Sequence, residues 1–321
     1  MTERARHAVV VPGYNRPESL QTVLSCLDAA TYDEPVDLIV SIDGGDAGCL
    51  AVAEGFEWRW GTKRVRNVQP RHGLKAHIIS CGDLASESYA SFTIIEDDLL
   101  VSPQWHAYTK ASVAAFAADD RIGGIALYSY LVDEIEFIDF RPEEDGRDNY
   151  FLQFACSWGQ AWTDRQWRGF KAWLADNPSL EGSTRAVPEA ITGWPASSWK
   201  KYFIHYLVDT DRYFTYPRVS LTSCPGVAGT HQKAIGSLFV TPLLLGPKDW
   251  SFAGLDQSGS VYDAYFEKRG SGVVRNVYES RRRADFLVDR YALGLKDAIE
   301  VFRICLRQFI QKATARKARR T

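Results

Sequence analysis

Three consecutive acids, Glu96-Asp97-Asp98, follow the apolar run Phe92-Thr93-Ile94-Ile95. Adjacent carboxylates repel one another and gain nothing from a hydrophobic core, so a cluster at this place is expected to work on a positive partner. Oxygen donors of this kind suit Mg2+ or Mn2+, and such an ion bridges carboxylates to a substrate diphosphate. A solvated acidic loop is the plain alternative. Two further polar clusters sit where apolar runs end: Tyr14-Asn15-Arg16 after Ala8-Val9-Val10-Val11-Pro12-Gly13, and Asp43-Gly44-Gly45 after Val36 to Ile42. Ten Trp and 13% aromatics add flat faces that stack on sugars and bases, although a packed core accounts for them equally well.

The elements that must position these clusters alternate. Ala8 to Val11, Val36 to Ile42, Val65 to Val68 and Phe92 to Ile95 are short β-branched runs closed by turn residues, which predicts strands. Between them Leu20, Val23, Leu24 and Leu27 recur at helical spacing behind Arg16-Pro17-Glu18-Ser19, and Leu74 to Leu84 reads as a second helix. Alternation of this kind implies an α/β fold with an open, mostly parallel sheet flanked by helices, in which ligands bind beyond the carboxyl ends of the strands. All three polar clusters are expected there. Farther on, the pattern predicts a helix from Trp105 to Ala118, a strand from Ile122 to Leu127, an acidic loop over 133–150 and a helix from Trp199 to Val208. After a Pro-, Gly- and Ser-bearing segment, 217–260, the chain ends in one long amphipathic helix.

Composition limits the function classes. A net charge of -2 over 321 residues excludes a protein that coats nucleic acid along its surface. No run of about 18 uncharged apolar residues predicts a membrane span, and the polar start predicts no secretory signal. Six cysteines without a C-x-x-C pair suit reduced thiols in a cytoplasmic protein. The charge is unevenly placed. From Arg275 to Thr321 stand 13 Lys and Arg against 5 Asp and Glu, a net of +8, which leaves -10 on the residues before them. In this tail Leu295, Ile299, Phe302, Leu306 and Phe309 form one apolar stripe, flanked by Arg303 and Arg307 and continued by Lys312, Arg316, Lys317, Arg319 and Arg320. Three readings fit: packing on the main domain, a homodimer through the stripe, or attachment to an anionic inner-membrane surface.

Taken in order, Val9-Val10-Val11-Pro12-Gly13-Tyr14-Asn15-Arg16-Pro17, Ser41-Ile42-Asp43-Gly44, Glu96-Asp97-Asp98-Leu99, Ser157-Trp158-Gly159-Gln160-Ala161-Trp162 and Tyr216-Pro217-Arg218-Val219-Ser220-Leu221 with Gly229-Thr230-His231 resemble GT-A-fold glycosyltransferases. The likeness is greatest to bacterial family-2-like enzymes and the N-acetylglucosaminyltransferase I family, and covers roughly residues 7–235. A dinucleotide-binding fold competes poorly, because no G-x-G-x-x-G follows the first strand.

The resemblance implies a GT-A domain over residues 1–255 with a basic helical extension over 256–321. It implies a metal-dependent transfer from a nucleotide-sugar donor, UDP-linked, to a hydroxyl of a surface glycan or lipid-linked glycan. Pro12, Tyr14, Asn15 and Arg16 would hold base and ribose, with Asp43 accepting a hydrogen bond from the nucleotide; a turn-forming Asp-Gly is the alternative for Asp43. Asp98 would bind Mn2+ or Mg2+, with Glu96 and Asp97 near ribose and donor sugar, Lys75 near the diphosphate and His231 as a second metal or diphosphate ligand. Trp158 would stack on the acceptor ring, while Gly159 lets substrate approach the backbone. One departure stands out. Relatives carry a Trp-Asp pair about 17 residues before Tyr-Pro, and its Asp is the expected base; here Trp199 is followed by Lys200. Asp209, Asp211 and Glu189 are then the candidate bases, and a non-catalytic nucleotide-sugar or glycan-binding domain is the competing reading.

Overall fold

The computed structural model describes residues 6–180, 187–225, 238–269 and 294–318. It forms two compact units, Met1–Phe266 and Glu267–Thr321. In the first unit the chain opens with β1 (His7–Gly13), α1 (Pro17–Asp28), β2 (Val36–Asp43), α2 (Ala47–Gly55), β3 (Lys63–Val68), α3 (Leu74–Ser88) and β4 (Ser91–Ile94). The expected alternation is therefore present. These four strands are mutually parallel, in the spatial order β4-β1-β2-β3. Every residue of β1 and β2 is buried, as a strand covered on both faces must be. The alternation of side chains splits them cleanly. Ala8 and Val10 lie in one core cluster with α3, and Val9 and Val11 in the other with α1 and α2.

The second half extends the same sheet with mixed sense. It contributes β5 (Leu100–Val101), α4 (Trp105–Phe116), β6 (Ile122–Ala126), β7 (Asn149–Leu152), β8 (Gln160–Thr163), α5 (Asp164–Asp176), α6 (Glu189–Thr192), α7 (Trp199–Asp209), β9 (Tyr213–Pro217), β10 (Thr222–Ser223) and β11 (Val261–Tyr262). Nine strands among the described residues run in the order β11-β7-β9-β6-β8-β4-β1-β2-β3. β8 is inserted antiparallel between β4 and β6, which restores β6 and β9 to the direction of β1. The sheet is mostly parallel and flanked by helices, as expected. α3, α5 and α7 cover one face through Ile78, Trp167, Phe170 and Phe203, and α1, α2 and α4 cover the other through Leu24, Ala53 and Tyr108. Trp162 and Trp167 are fully buried core residues.

In the second unit α8 (Leu295–Ala318) is the long C-terminal helix. Its stripe residues Leu295, Ile299, Phe302 and Leu306 are exposed or nearly so, as is Ile310; the side chain of Phe309 lies outside the described residues. Among the described residues, no helix is long and apolar enough to cross a membrane.

Candidate functional site

The carboxyl ends of β1, β2 and β4 form one crevice, and proline helps to open it. Val10 O accepts from Ile95 N at 3.0 Å, so residues 10 and 12 both address β4. Pro12 has no N–H to continue that ladder, and the β1–β4 pairing stops at Val10 opposite Ile94. Beyond this point the acids diverge. Ile94 belongs to the α3/α5/α7 core and Ile95 to the α1/α2/α4 core. Continued alternation sends Glu96 toward α7, where Lys200 is among the charges acting on it, and Asp97 toward α1.

On the α1 side stands Arg16, directly before α1, whose first residue is Pro17. Its guanidinium donates to Asp98 Oδ2 at 2.7 Å and, with the other terminal nitrogen, to Asp97 Oδ1. The planar fork suits two neighbouring carboxylates. One cation does not offset three acids. Burial, with help from Asp98 and Asp97, pushes the Glu96 carboxyl up to about 8. Burial pushes Asp97 up to about 6 against the pull of Arg16. Asp97 Oδ2 is buried with no hydrogen-bond partner. Among the described residues no three His, Cys, Asp or Glu side chains converge as a finished metal cage. The donors nevertheless fit a hard divalent cation, which characteristically takes one or two carboxylates and completes its shell with water and substrate phosphate. Asp98 is less buried than Asp97.

Asp43 ends β2 and is 3% exposed. Its Oδ1 accepts from His72 N at 2.7 Å and its Oδ2 from Gly73 N at 2.9 Å, so it fixes the loop that leads into α3. The same loop carries Arg71, whose guanidinium lies 4.0 Å over the Tyr14 ring. Asp43, Tyr14 and Arg71 thus form one cluster, and Arg71 is a member that the sequence reading missed. Asn15 is exposed beside it, and Pro12 is a buried strand residue. Lys75 lies elsewhere. Its Nζ sits 3.3 Å from the centre of the Tyr202 ring on α7.

The acceptor side is aromatic. Leu127 N donates to Gly159 O at 2.9 Å, so the residues after β6 and before β8 lie together at the carboxyl end of β4. Trp158, half-buried, packs on Tyr128 at 4.7 Å and on Phe239 at 4.9 Å. Gly159 has φ +87°, and a Cβ there would meet the Thr222 side chain at 2.8 Å. Its missing side chain makes room for Thr222. Lys200 is buried and bonds both oxygens of Glu134, at 2.6 and 2.7 Å, within 4.8–5.5 Å of the Phe154, Trp158 and Trp194 ring centres. Glu134 lies in the stretch read as a polar loop; its pairing with Lys200 spans 66 residues and has no local signal.

The candidate bases do not join this group. Asp211 directly precedes β9, which runs parallel to β6 and in the sense of β1, so it lies at the end of the sheet where these strands begin. There it accepts from Gln153 Nε2 at 3.1 Å and the Tyr213 hydroxyl at 3.2 Å. Asp209, the last residue of α7, is at the same end. Both therefore lie a strand length from the carboxyl end of β4, where Glu96 to Asp98 stand. Glu189 opens the one-turn α6, its side chain outside the described residues, and His231 is also outside them.

No protein-family model matches the chain, and no curated protein matches it. Among solved structures it is similar to TarS 1-349 of S. aureus, with 14% identity over 68% of this chain and 59% of that one, TM-score 0.42. The same protein in complex with UDP overlaps 66% of this chain and 60% of its own, again at 14% identity, TM-score 0.41. The mannosyltransferase PcManGT from Pyrobaculum calidifontis, in complex with GDP-Man and Mn2+, overlaps 57% of this chain and 49% of its own at 15% identity, TM-score 0.37. The chain spans about three fifths of TarS 1-349, and overlaps this partial assign neither family nor activity.

Proposed function

We propose that the chain is a glycosyltransferase that moves a sugar from a UDP-linked donor to a glycan hydroxyl. The observation that supports this most is the Arg16 clasp of Asp97 and Asp98 at the carboxyl end of β4, beside the Tyr14–Arg71 stack. Tyr14 offers a flat face for the base, and Asp43 holds the loop that aims Arg71. Asp98 would hold Mn2+ or Mg2+, which when bound offsets the charge that develops on the departing diphosphate. Arg16 holds the two carboxylates in orientation before donor arrives. Trp158 presents its exposed edge to the acceptor. Release of free UDP from UDP-sugars, with and without Mn2+, tests the reading and separates an enzyme from a binding domain. Asp98→Ala is expected to abolish Mn2+-dependent donor binding while the fold survives; unchanged donor affinity at saturating Mn2+ would remove Asp98 from the metal role.

The acceptor of this reading is a surface glycan carried on a lipid, met at a membrane. Support comes from α8, which exposes Leu295, Ile299, Phe302 and Leu306 beside Arg303 and Arg307. Each basic residue near an anionic surface contributes about 1 kcal/mol, so a cluster holds the enzyme reversibly. The full chain is expected to sediment with anionic liposomes and to be released by high salt. A chain that ignores them at low salt and elutes as a dimer makes the stripe a self-association surface.

A further inference from the structure

Resting on the glycosyl-transfer reading, we propose that Glu134 accepts the proton of the acceptor hydroxyl, with Lys200 and Tyr130 holding its carboxylate in place. The oxygens of Glu134 are not equivalent. Oε1 takes two donors, the Tyr130 hydroxyl and Lys200 Nζ. Among the described residues Oε2 takes only Lys200 Nζ, at 2.7 Å, which leaves it a lone pair. A carboxylate tied by two long side chains would be purely structural if it were sealed, but the Glu134 side chain is 12% exposed.

What surrounds it fits a sugar ring. Lys200 lies among the Phe154, Trp158 and Trp194 rings, and Trp158 is itself half-buried, so an apolar ring face and an oriented carboxylate stand together. A second observation points to a ligand with hydroxyls. The Gln160 side chain is fully buried, and neither its amide oxygen nor its amide nitrogen has a partner. Gln160 pairs with Ile94 across β4 and β8, and lies two residues before Trp162, so it is on the sheet face of Glu96 and α7. An amide that both donates and accepts is matched by a sugar hydroxyl. Cys156, the nearby nucleophile, is ruled out: it is fully buried and burial pushes its thiol up to about 12.

The step balances without another reactant. The hydroxyl oxygen bonds the anomeric carbon, the bond from that carbon to the diphosphate oxygen breaks, and its electron pair leaves with UDP. The hydroxyl proton passes to Glu134 Oε2. Lys200 acts as a positioning residue through its two bonds to Glu134.

The test uses the full chain, a UDP-sugar with Mn2+, and water as acceptor. Glu134→Gln keeps the shape but accepts no proton, and kcat for UDP release is expected to fall by about 100-fold or more. UDP affinity by calorimetry and KM for the donor should stay within about twofold, since the group acts in the step and not in donor binding. Formate is expected to restore part of the turnover of Glu134→Ala. Because Glu134→Gln strands a buried cation, the double variant Glu134→Gln/Lys200→Met is measured beside it; a folded double variant with the same loss supports the role. A kcat within about threefold of the parent in either folded variant overturns it, as does a loss of kcat that only tracks lost UDP affinity. A parent chain that turns over while its folded Glu134 variants keep pace overturns the Glu134 role alone, whereas a parent that binds no UDP, or binds it but releases none from UDP-sugars, overturns the glycosyl-transfer reading beneath it.

Discussion

The two halves of the crevice handle charge differently. On the α1 side one guanidinium faces an excess of acid, with Asp97 pushed up and one of its oxygens unpartnered. On the α7 side Lys200 and Glu134 form a direct pair walled by rings, with Glu96 a further acid on which Lys200 acts. An under-compensated acidic site calls for a further cation. A direct pair gains nothing from one and instead presents an oriented carboxylate. The lesson is that three adjacent acids need not act as one site, because alternation at the end of β4 divides Glu96 from Asp97.

The comparison breaks most sharply at Arg16. Arg16→Met leaves Asp97, 2% exposed, without its cation. Stranding a buried partner costs about 3–5 kcal/mol, lowering the thermal midpoint correspondingly. Saturating Mn2+ should recover part of that loss, since the ion would meet the same carboxylates. Lys200→Met is expected to gain nothing from Mn2+. Equal Mn2+ effects on the two variants, measured by thermal unfolding, would erase the distinction between the halves.

The halves also differ in how far they were legible. β1, β2, β4 and α1 announce themselves by runs and spacing within a dozen residues, and the polar clusters at their ends follow from the fold class. The acceptor side does not. β8 enters backwards between β4 and β6, and nothing in Gln160-Ala161-Trp162-Thr163 marks that direction. β9 was visible only as a Tyr-Pro motif, and its parallel pairing with β6 is what carries Asp209 and Asp211 to the wrong end. Lys200 read as a lost base because its partner, Glu134, is 66 residues away.

Asp43 gives a smaller effect of mixed kind. Asp43→Ala frees two backbone donors at the start of α3, at a cost of about 1.5–3 kcal/mol. Because Arg71 rides on the same loop, UDP affinity is expected to fall by roughly 10- to 150-fold. Lost stability with unchanged UDP binding by calorimetry would make Asp43 a loop clamp alone.

Acid probes both halves at once. Burial lowers His7 on β1 to about 3 and His205 on α7 to about 4. Both are neutral when folded, while the unfolded chain takes up their protons below about 6.5. Stability is therefore complete above that pH and falls as pH drops toward the folded values, by about 2 kcal/mol per group at pH 5. The replacements should differ at neutral pH. His7 bonds Ser91 Oγ and Thr93 Oγ1, each at 2.8 Å, so His7→Leu strands two hydroxyls and destabilises. Neither ring nitrogen of His205 has a partner, so His205→Leu is expected to be neutral or stabilising. Either variant should flatten the pH dependence by one proton.

The smallest effect belongs to a contact between α3 and α7, two helices on the same face of the sheet. Lys75 on α3 points its ammonium at Tyr202 on α7, 3.3 Å from the ring centre, and Tyr202 is 5% exposed. A cation over a ring is worth about 0.5–1 kcal/mol at a partly exposed site, so Lys75→Met should lower stability by no more than that. The contact also decides between two roles, because an ammonium held on Tyr202 is not free to grip a diphosphate. UDP and UMP separate the two, since they differ by the one phosphate that Lys75 would hold. The expectation is that Lys75→Met leaves both affinities unchanged by calorimetry. Weakened UDP with unaltered UMP would mean that Lys75 leaves the ring when donor binds, and that the contact between α3 and α7 moves during the reaction.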